Sequence, residues 1–202
     1  DKKMGQRGTK TCDVVLENVR VPAANIIGGV PGVGFKTAMK VLDRGRLHIS
    51  ALACGMAHRL ITDAVAYAKE RKQFGKPIAS FQLTQQKLVD MVTQIILAQQ
   101  LNLALGRAKD SGNYTPQMIS LAKRNNARMA LEIAREARTI LGANGITADY
   151  APIRHALNLE SIYTYEGTHE IHTLILEAFP DLGNRSDVQI DHFDFVYTVN
   201  GG

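Results

Sequence analysis

The sequence predicts a mainly α-helical protein, an up-down helical bundle preceded by a short β remnant. Apolar residues recur at helical spacing from Phe35 to Leu176. Glycine and proline interrupt this pattern at only a few places, which divides it into four or five segments with short connections. β-Branched residues are concentrated ahead of it, between residues 11 and 22. Helices joined in this way pack as antiparallel neighbours in a bundle.

The β remnant is predicted over residues 12–21, which are β-branched and partly alternating, and Pro22 closes the run. A linker rich in glycine and proline follows over residues 25–34. We therefore expect residues 1–30 to be the remnant of a β-domain with its linker, residues 31–178 to be the bundle, and residues 179–202 to be an atypical tail. Because the chain starts with Asp1 and a sheet-like segment, we also expect it to belong to a longer protein.

The first two helices are predicted from periodicity and their boundary residues. The long first helix runs from Phe35 to Ala68 and allows an irregularity at Gly45. It ends at the Arg71-Lys72-Gln73-Phe74-Gly75-Lys76-Pro77-Ile78 motif, and Ser80 is predicted as the N-cap of a second helix that reaches Lys109.

The later helices are delimited in the same way. Thr115-Pro116 opens a third helix to about Leu141, which Gly142-Ala143-Asn144-Gly145 ends as a left-handed C-cap. A short helix over residues 152–162, a break at Glu166-Gly167 and a last helix through Leu176 follow. The alternating run over residues 188–197 is interpreted either as a strand or as a tail.

Composition narrows the class of function. The chain has 202 residues, of which 45% are hydrophobic and 21% charged, enough apolar material for one sizeable core. No uninterrupted apolar run approaches the roughly 20 residues that span a bilayer, so no membrane association is expected. The formal charge is +5, but basic and acidic residues are interleaved along the helices, and nucleic acid is not expected as a partner.

The two cysteines, Cys12 and Cys54, lie in segments of different character and lack metal-ligand spacing. They indicate neither a disulfide framework nor a zinc site, and a reducing compartment is expected, either a bacterial cytoplasm or a mitochondrial matrix. His169 and His172 are three residues apart on a helix, but no third ligand accompanies them at a recognisable spacing, so no metal is expected.

Three motifs occur in order along the chain: Arg71-Lys72-Gln73-Phe74-Gly75 with Gln82, Gly142-Ala143-Asn144-Gly145-Ile146, and Tyr163-Thr164-Tyr165-Glu166-Gly167-Thr168-His169-Glu170-Ile171-His172. Together they resemble the C-terminal domain of the acyl-CoA dehydrogenase family. Two further stretches, residues 123–126 and 154–160, look most like the glutaryl-CoA dehydrogenase branch. Ala143 departs from the resemblance, since glycine is more usual there, and the tail matches nothing in the family.

The resemblance implies FAD-dependent α,β-dehydrogenation of an acyl-CoA thioester, with Glu166 as the base that removes the α proton. Gly167 would let the backbone approach the substrate closely, and Asp43 and Arg46 match a substrate-binding region of the long helix. Two plainer interpretations stay open. Glu166 would cap a helix with the help of Thr168, and Arg46 would form a surface pair with Asp43.

The resemblance also implies a set of FAD-binding residues. Arg71 matches an arginine that pairs with the pyrophosphate of a flavin in a neighbouring subunit. Its plain alternative is a cation at a helix C-terminus. The other matching positions are Phe74, Gln82, Leu141, Gly142, Ala143, Asn144, Thr168 and Glu170.

The partners implied are an acyl-CoA substrate, an electron-transferring flavoprotein and further copies of the chain in a homotetramer. Two alternatives come from other classes of protein. The chain would be a catalytically incomplete helical oligomerisation module, or a relative diverted to nucleic-acid binding, against which the mixed charge pattern and Glu166 count.

Overall fold

The computed structural model describes residues 1–177 and is a bundle of five helices, so the predicted fold class is confirmed. The helices are α1 (Gly34–Glu70), α2 (Gln82–Asp110), α3 (Pro116–Ile140), α4 (Ala151–Thr164) and α5 (His169–Glu177). A two-stranded antiparallel hairpin, β1 (Lys72–Gln73) and β2 (Lys76–Pro77), connects α1 to α2. The predicted tail, residues 179–202, and the alternating run within it lie outside the described residues.

The predicted strand over residues 12–21 is wrong for this chain. These residues form no strand, and Val14, Val15 and Leu16 are exposed. A strand needs a neighbouring backbone to satisfy its amide and carbonyl groups, and residues 12–21 form no backbone hydrogen bond with another described segment. The glycines of the predicted linker do form turns, with Gly28, Gly29 and Gly32 in the left-handed region.

Helix α1 is continuous over 37 residues, without the irregularity allowed at Gly45. At 1.5 Å per residue it is about 55 Å long. Its buried stripe consists, apart from Leu60, of small residues that let a neighbouring helix approach closely: Ser50, Ala53, Cys54, Ala57, Ala64 and Ala68.

Helix α3 is the centre of the bundle and contacts all four other helices. It begins as predicted, because the Thr115 hydroxyl accepts a hydrogen bond from the amide of Met118 (3.3 Å) and Pro116 occupies the first helical turn. Its buried face carries polar groups as well as apolar ones, among them Ser120, Lys123 and Asn126.

A buried polar network joins α1, α2 and α3. Asn126 donates to the Ser50 hydroxyl (2.9 Å) and the Ala98 carbonyl (3.3 Å), and Ser50 in turn donates to the Asn102 side chain (2.7 Å). Because each of these bonds joins residues from different helices, the network fixes the helices in one register.

The hairpin and the start of α2 differ from the prediction. Phe74 (φ 53°) and Gly75 (φ 78°) form the two-residue turn, which requires positive φ at both positions. Ser80 does not cap α2. Its hydroxyl donates to the Pro77 carbonyl (2.7 Å), and α2 begins after Phe81 without a side-chain cap.

Helix α2 has apolar residues on two opposite sides. Met91, Ile95 and Ala98 face the bundle, whereas a second stripe, Val89, Val92, Ile96 and Leu103, is exposed. By length and composition alone, α2 is also apolar enough to cross a membrane. The sequence of α2 contains no uninterrupted apolar run long enough to do so, because glutamine and threonine separate its apolar residues.

Candidate functional site

A left-handed turn between α4 and α5 carries Glu166. Glu166 has φ 58° and Gly167 has φ 93°. A left-handed φ at a residue other than glycine costs about 1–2 kcal/mol, so the surroundings must stabilise this conformation. A side chain on Gly167 would meet the ring of His172 at 2.8 Å, and only glycine fits there.

The Glu166 carboxylate lies against the backbone of α1 at Gly45. A Cβ added to Gly45 would come within 3.0 Å of both carboxylate oxygens. One of them, Oε2, is buried and has no hydrogen-bond partner among residues 1–177. A buried carboxylate oxygen without a donor is unfavourable unless a group outside the described residues completes its surroundings.

Three side chains hold the backbone of this turn. The Glu166 carbonyl accepts hydrogen bonds from Arg46 Nε (3.1 Å) and from the ring Nε2 of His172 (3.1 Å). Lys123 Nζ donates to the carbonyls of Gly167 (2.6 Å) and Tyr163 (3.2 Å). The turn is therefore fixed by residues from α1, α3 and α5.

Arg46 also pairs with Asp43 (3.0 Å), as the plain interpretation of this i, i+3 pair expected. The pair is not a surface feature, because the side chains are only 13% and 24% exposed. Arg46 thus links the Asp43 carboxylate to the backbone of Glu166.

Burial lowers the pKa of the two titratable side chains that bind the turn, Lys123 and His172. Desolvation, helped by the Arg46 charge and opposed by Glu166 and Glu170, lowers the pKa of Lys123 to about 8. Desolvation, helped by the charges of Lys123 and Arg46, lowers the pKa of His172 to about 4. Near neutral pH, His172 is therefore an uncharged donor to the Glu166 carbonyl.

The helix-capping interpretation of Glu166 does not match the geometry. The cap of α5 is Thr168, whose hydroxyl accepts from the amide of Ile171 (3.3 Å). Glu170 lies exposed in the first turn, where its own backbone amide and Thr168 lower its pKa. The Glu166 carboxylate is left to face α1.

A second cluster surrounds an open pocket of about 280 Å³ at the other end of α1. It contains Arg71 and the predicted turn of Leu141, Gly142, Ala143 and Asn144, with Tyr67, Gln73, Ile78 and Ile140. Gly142 has φ 59° and ends α3 as predicted. The Asn144 amide donates to the hydroxyls of Tyr67 (3.0 Å) and Tyr150 (3.2 Å), which fixes the turn against α1 and α4.

Four of the predicted cofactor residues do not line this pocket. Thr168 and Glu170 lie at the start of α5, beside the left-handed turn between α4 and α5. Phe74 lies at the tip of the hairpin and is 92% exposed, and Gln82 is exposed in the first turn of α2. Arg71 is also exposed, and its guanidinium forms no ion pair within residues 1–177.

The two clusters are far apart. Arg46 and Arg71 are separated by 25 positions along an unbroken helix and its C-cap, which corresponds to about 38 Å. One chain therefore places its Glu166 and its Arg71 at opposite ends of the bundle.

Sequence reasoning missed three residues of the Glu166 cluster. Gly45 was interpreted as a helix irregularity, Lys123 only as part of a resemblance, and His172 as a weak metal candidate. One signal was present: Lys123 lies four residues after Ile119 and four before Ala127, within the apolar stripe of α3. Within residues 1–177 no cluster of three metal-ligating side chains occurs, and His172 instead contacts a carbonyl.

Comparisons with known proteins agree with the resemblance. The sequence model of the acyl-CoA dehydrogenase C-terminal domain matches residues 32–179. The probable acyl-CoA dehydrogenase YngJ of Bacillus subtilis is 42% identical over 174 residues, which are 86% of this chain and 46% of the relative. The chain spans about half the length of the curated relatives it matches.

Solved structures are similar over the same region. Glutaryl-CoA dehydrogenase from Mycobacterium smegmatis has 47% identity and a TM-score of 0.81 over 87% of this chain and 45% of that one. A glutaryl-CoA dehydrogenase from Mycobacterium smegmatis in complex with FADH2 has 46% identity and a TM-score of 0.66. The match covers 67% of this chain and 35% of that one. A chain from the electron transferring flavoprotein structure of Acidaminococcus fermentans has 34% identity and a TM-score of 0.84 over 88% and 46%.

The matched region defines a C-terminal helical domain of the acyl-CoA dehydrogenase class. The chain belongs to the acyl-CoA dehydrogenase family.

Proposed function

We propose that this chain is the base-bearing domain of an FAD-dependent dehydrogenase that introduces an α,β double bond into an acyl-CoA thioester. The carboxylate of Glu166 carries the proposal. It is held against Gly45 by a fixed turn, and its buried Oε2 has no partner within residues 1–177.

Glu166 acts as the general base. A hydrogen on the carbon α to a thioester carbonyl is acidic enough for a positioned carboxylate to remove it, and the new O–H bond forms on Glu166. The fixed turn keeps the carboxylate in place, so little reorganisation is needed before proton transfer. FAD, when bound, supplies the acceptor for the hydride that leaves the β carbon.

The pocket at Arg71 fits the phosphate-rich part of FAD. The guanidinium is exposed, without an ion pair within the described residues, and it can bind phosphate oxygens through two donors. Gly142 leaves the backbone open, since a Cβ there would meet nothing within 4 Å. Leu141, Ala143 and Asn144 form the rest of this wall, and Phe74, Gln82, Thr168 and Glu170 are proposed contacts at its margins and at the Glu166 end.

We propose that more than one copy of the chain forms the complete site. Because Arg46 and Arg71 of one chain are separated by about 38 Å, the proposal assigns Glu166 of one copy and Arg71 of another to the same FAD. The exposed stripe Val89, Val92, Ile96 and Leu103 of α2 offers an apolar surface for such an assembly. A tetramer with an electron-transferring flavoprotein as oxidant, in a bacterial cytoplasm or mitochondrial matrix, completes the proposal.

Substitution of Glu166 by glutamine in the complete enzyme tests the proposal. Glutamine keeps the shape and removes the proton acceptor, so kcat with an acyl-CoA should fall by about 10²–10⁴-fold while FAD absorbance is retained. The matched control is Glu132→Gln, which removes an exposed carboxylate paired with Arg128. Native turnover in Glu166→Gln would exclude Glu166 as the base.

The alternative of a non-catalytic oligomerisation module makes a different prediction for the same preparation. A defined oligomer without FAD absorbance and without turnover in the complete protein would favour it. The α2 stripe would then be the functional surface of the chain.

A further inference from the structure

Lys123 is the least exposed charged side chain near the proposed base. It is 1% exposed, it lies within the central helix α3, and its amino group reaches the turn that carries Glu166. Burial of a charged lysine is unfavourable unless its donors are satisfied. Two backbone carbonyls accept hydrogen bonds from two of its three donors here.

We propose that Lys123 is a positioning residue for the Glu166 carboxylate, because it ties together the carbonyls of Tyr163 and Gly167 on the two sides of the left-handed turn. This inference rests on the proposed function, in which Glu166 is the base. Lys123 itself does not contact the carboxylate. It acts through the backbone.

The geometry explains how this works. Tyr163 belongs to the last turn of α4, and Gly167 follows the strained residue Glu166. One amino group bonded to both carbonyls closes residues 163–167 into a loop. Since Arg46 and His172 hold only the Glu166 carbonyl, Lys123 alone among these three donors fixes both ends of the turn.

The length and the three donors of lysine suit this place. The amino group must extend from the core of α3 to two carbonyls that lie beyond it, and a lysine ammonium can donate to both at once. The charged and titratable groups facing it are Arg46 on α1, Glu166 in the turn, and His169, Glu170 and His172 on α5. Attraction to the two carboxylates partly offsets the effect of burial.

The test compares Lys123→Met with Asn126→Ala in the complete enzyme. Methionine fills the volume of the lysine but donates no hydrogen bond. Asn126 is equally buried on the same helix, and its loss removes the hydrogen bonds to the Ser50 hydroxyl and the Ala98 carbonyl, yet its side chain forms no hydrogen bond with the turn. Both variants should lower the melting temperature.

Only Lys123→Met should lower kcat, by up to about 100-fold, because a displacement of about 1 Å at a reacting group has that effect. The KM for acyl-CoA and the FAD content should stay near native values. Lys123→Gln keeps an amide donor and should recover part of the lost kcat, and it provides the comparison with Asn126→Ala if Lys123→Met does not fold.

Native kcat in a folded Lys123→Met or Lys123→Gln enzyme would overturn the proposal, as would an equal loss of kcat in Asn126→Ala. Combination with Glu166→Gln separates this result from a failure of the proposed function. If Glu166 is the base and Lys123 positions it, Lys123→Met should have no further effect on the residual rate of Glu166→Gln. Turnover that survives Glu166→Gln would instead disprove the role of Glu166.

Discussion

The turn at Glu166 and the hairpin after Arg71 both follow the end of a helix, and both place a residue other than glycine in the left-handed region. They differ in what holds them. Side chains from three helices bind the backbone at Glu166. The hairpin is held by its own short ladder and by the bond from the Ile78 amide to the Arg71 carbonyl (2.8 Å), and Phe74 at its tip is exposed.

This difference indicates which part of the proposed site one chain completes alone. The backbone of Glu166, the proposed base, is held in place within the bundle by Arg46, Lys123 and His172. The hairpin instead exposes Arg71 and Phe74, the residues that are proposed to contact FAD. Substitutions at the Glu166 turn should therefore change the stability or kcat of the protein, whereas substitutions at the hairpin should change FAD binding.

The largest change in the free energy of unfolding is expected from protonation of His172 when the pH is lowered. Its pKa is about 4 in the folded chain, against 6.5 for an unperturbed histidine, because burial disfavours the charged ring. The unfolded chain therefore binds a proton more readily, and the stability due to His172 is present above pH 6.5 and lost as the pH falls towards 4. At 1.36 kcal/mol per pKa unit this loss reaches roughly 3 kcal/mol.

Urea denaturation of the chain between pH 7 and pH 4 measures this loss. His172→Gln keeps an N–H donor for the Glu166 carbonyl but cannot titrate in this range, so its stability should fall less steeply. His58→Gln on the exposed face of α1 controls for the removal of one histidine. Equal slopes for the native chain and His172→Gln would show that the ring is not held uncharged beneath the turn.

Much of the fold followed from the sequence because its signals are local. Periodicity gave the helices, and Thr115-Pro116 and Gly142 gave two of their boundaries. The prediction of a strand over residues 12–21 is wrong because a strand needs a neighbouring backbone for its hydrogen bonds. The sequence of these residues does not show whether such a neighbour is present. The prediction of Ser80 as an N-cap is wrong for a related reason. Its hydroxyl donates a hydrogen bond to the Pro77 carbonyl, in a turn that exists only because the hairpin precedes it.

The residues of the candidate site also differ in whether a local sequence pattern identifies them. The resemblance named Glu166, Arg71 and the Gly142 turn, which carry recognisable motifs. It did not name Gly45 or Lys123 as part of the Glu166 cluster, because their contacts with the turn join positions more than 40 residues apart. A glycine within a helix has no distinctive local pattern. A lysine within an apolar stripe indicates that the side chain is buried, but it does not indicate which segment the amino group contacts.

Replacement of Arg71 by alanine, next to the hairpin, should weaken FAD binding without changing the stability of the chain. The guanidinium is exposed and forms no ion pair among the described residues, so the stability of the chain should not change. Loss of a charged hydrogen bond to phosphate should weaken FAD binding by about 1.5–3 kcal/mol, or roughly 10- to 100-fold in Kd. Flavin titration of the complete enzyme measures this, with Lys72→Ala on the neighbouring exposed strand as the control. Unchanged affinity would leave Arg71 as a cation at a helix end.

The smallest effect, and the most specific one, is expected at Gly45. Alanine improves helix propensity by about 1 kcal/mol, so Gly45→Ala should not destabilise α1 through the helix itself. Its methyl group, however, would lie 3.0 Å from both oxygens of the Glu166 carboxylate and must displace them, which should lower kcat by about tenfold. Gly55→Ala is the matched control, because Gly55 lies in the same helix and a Cβ there meets nothing within 4 Å. If both variants keep native kcat, the carboxylate does not act from its position against α1. A loss of kcat confined to Gly45→Ala would locate the base at this helix, independently of any change made to Glu166 itself.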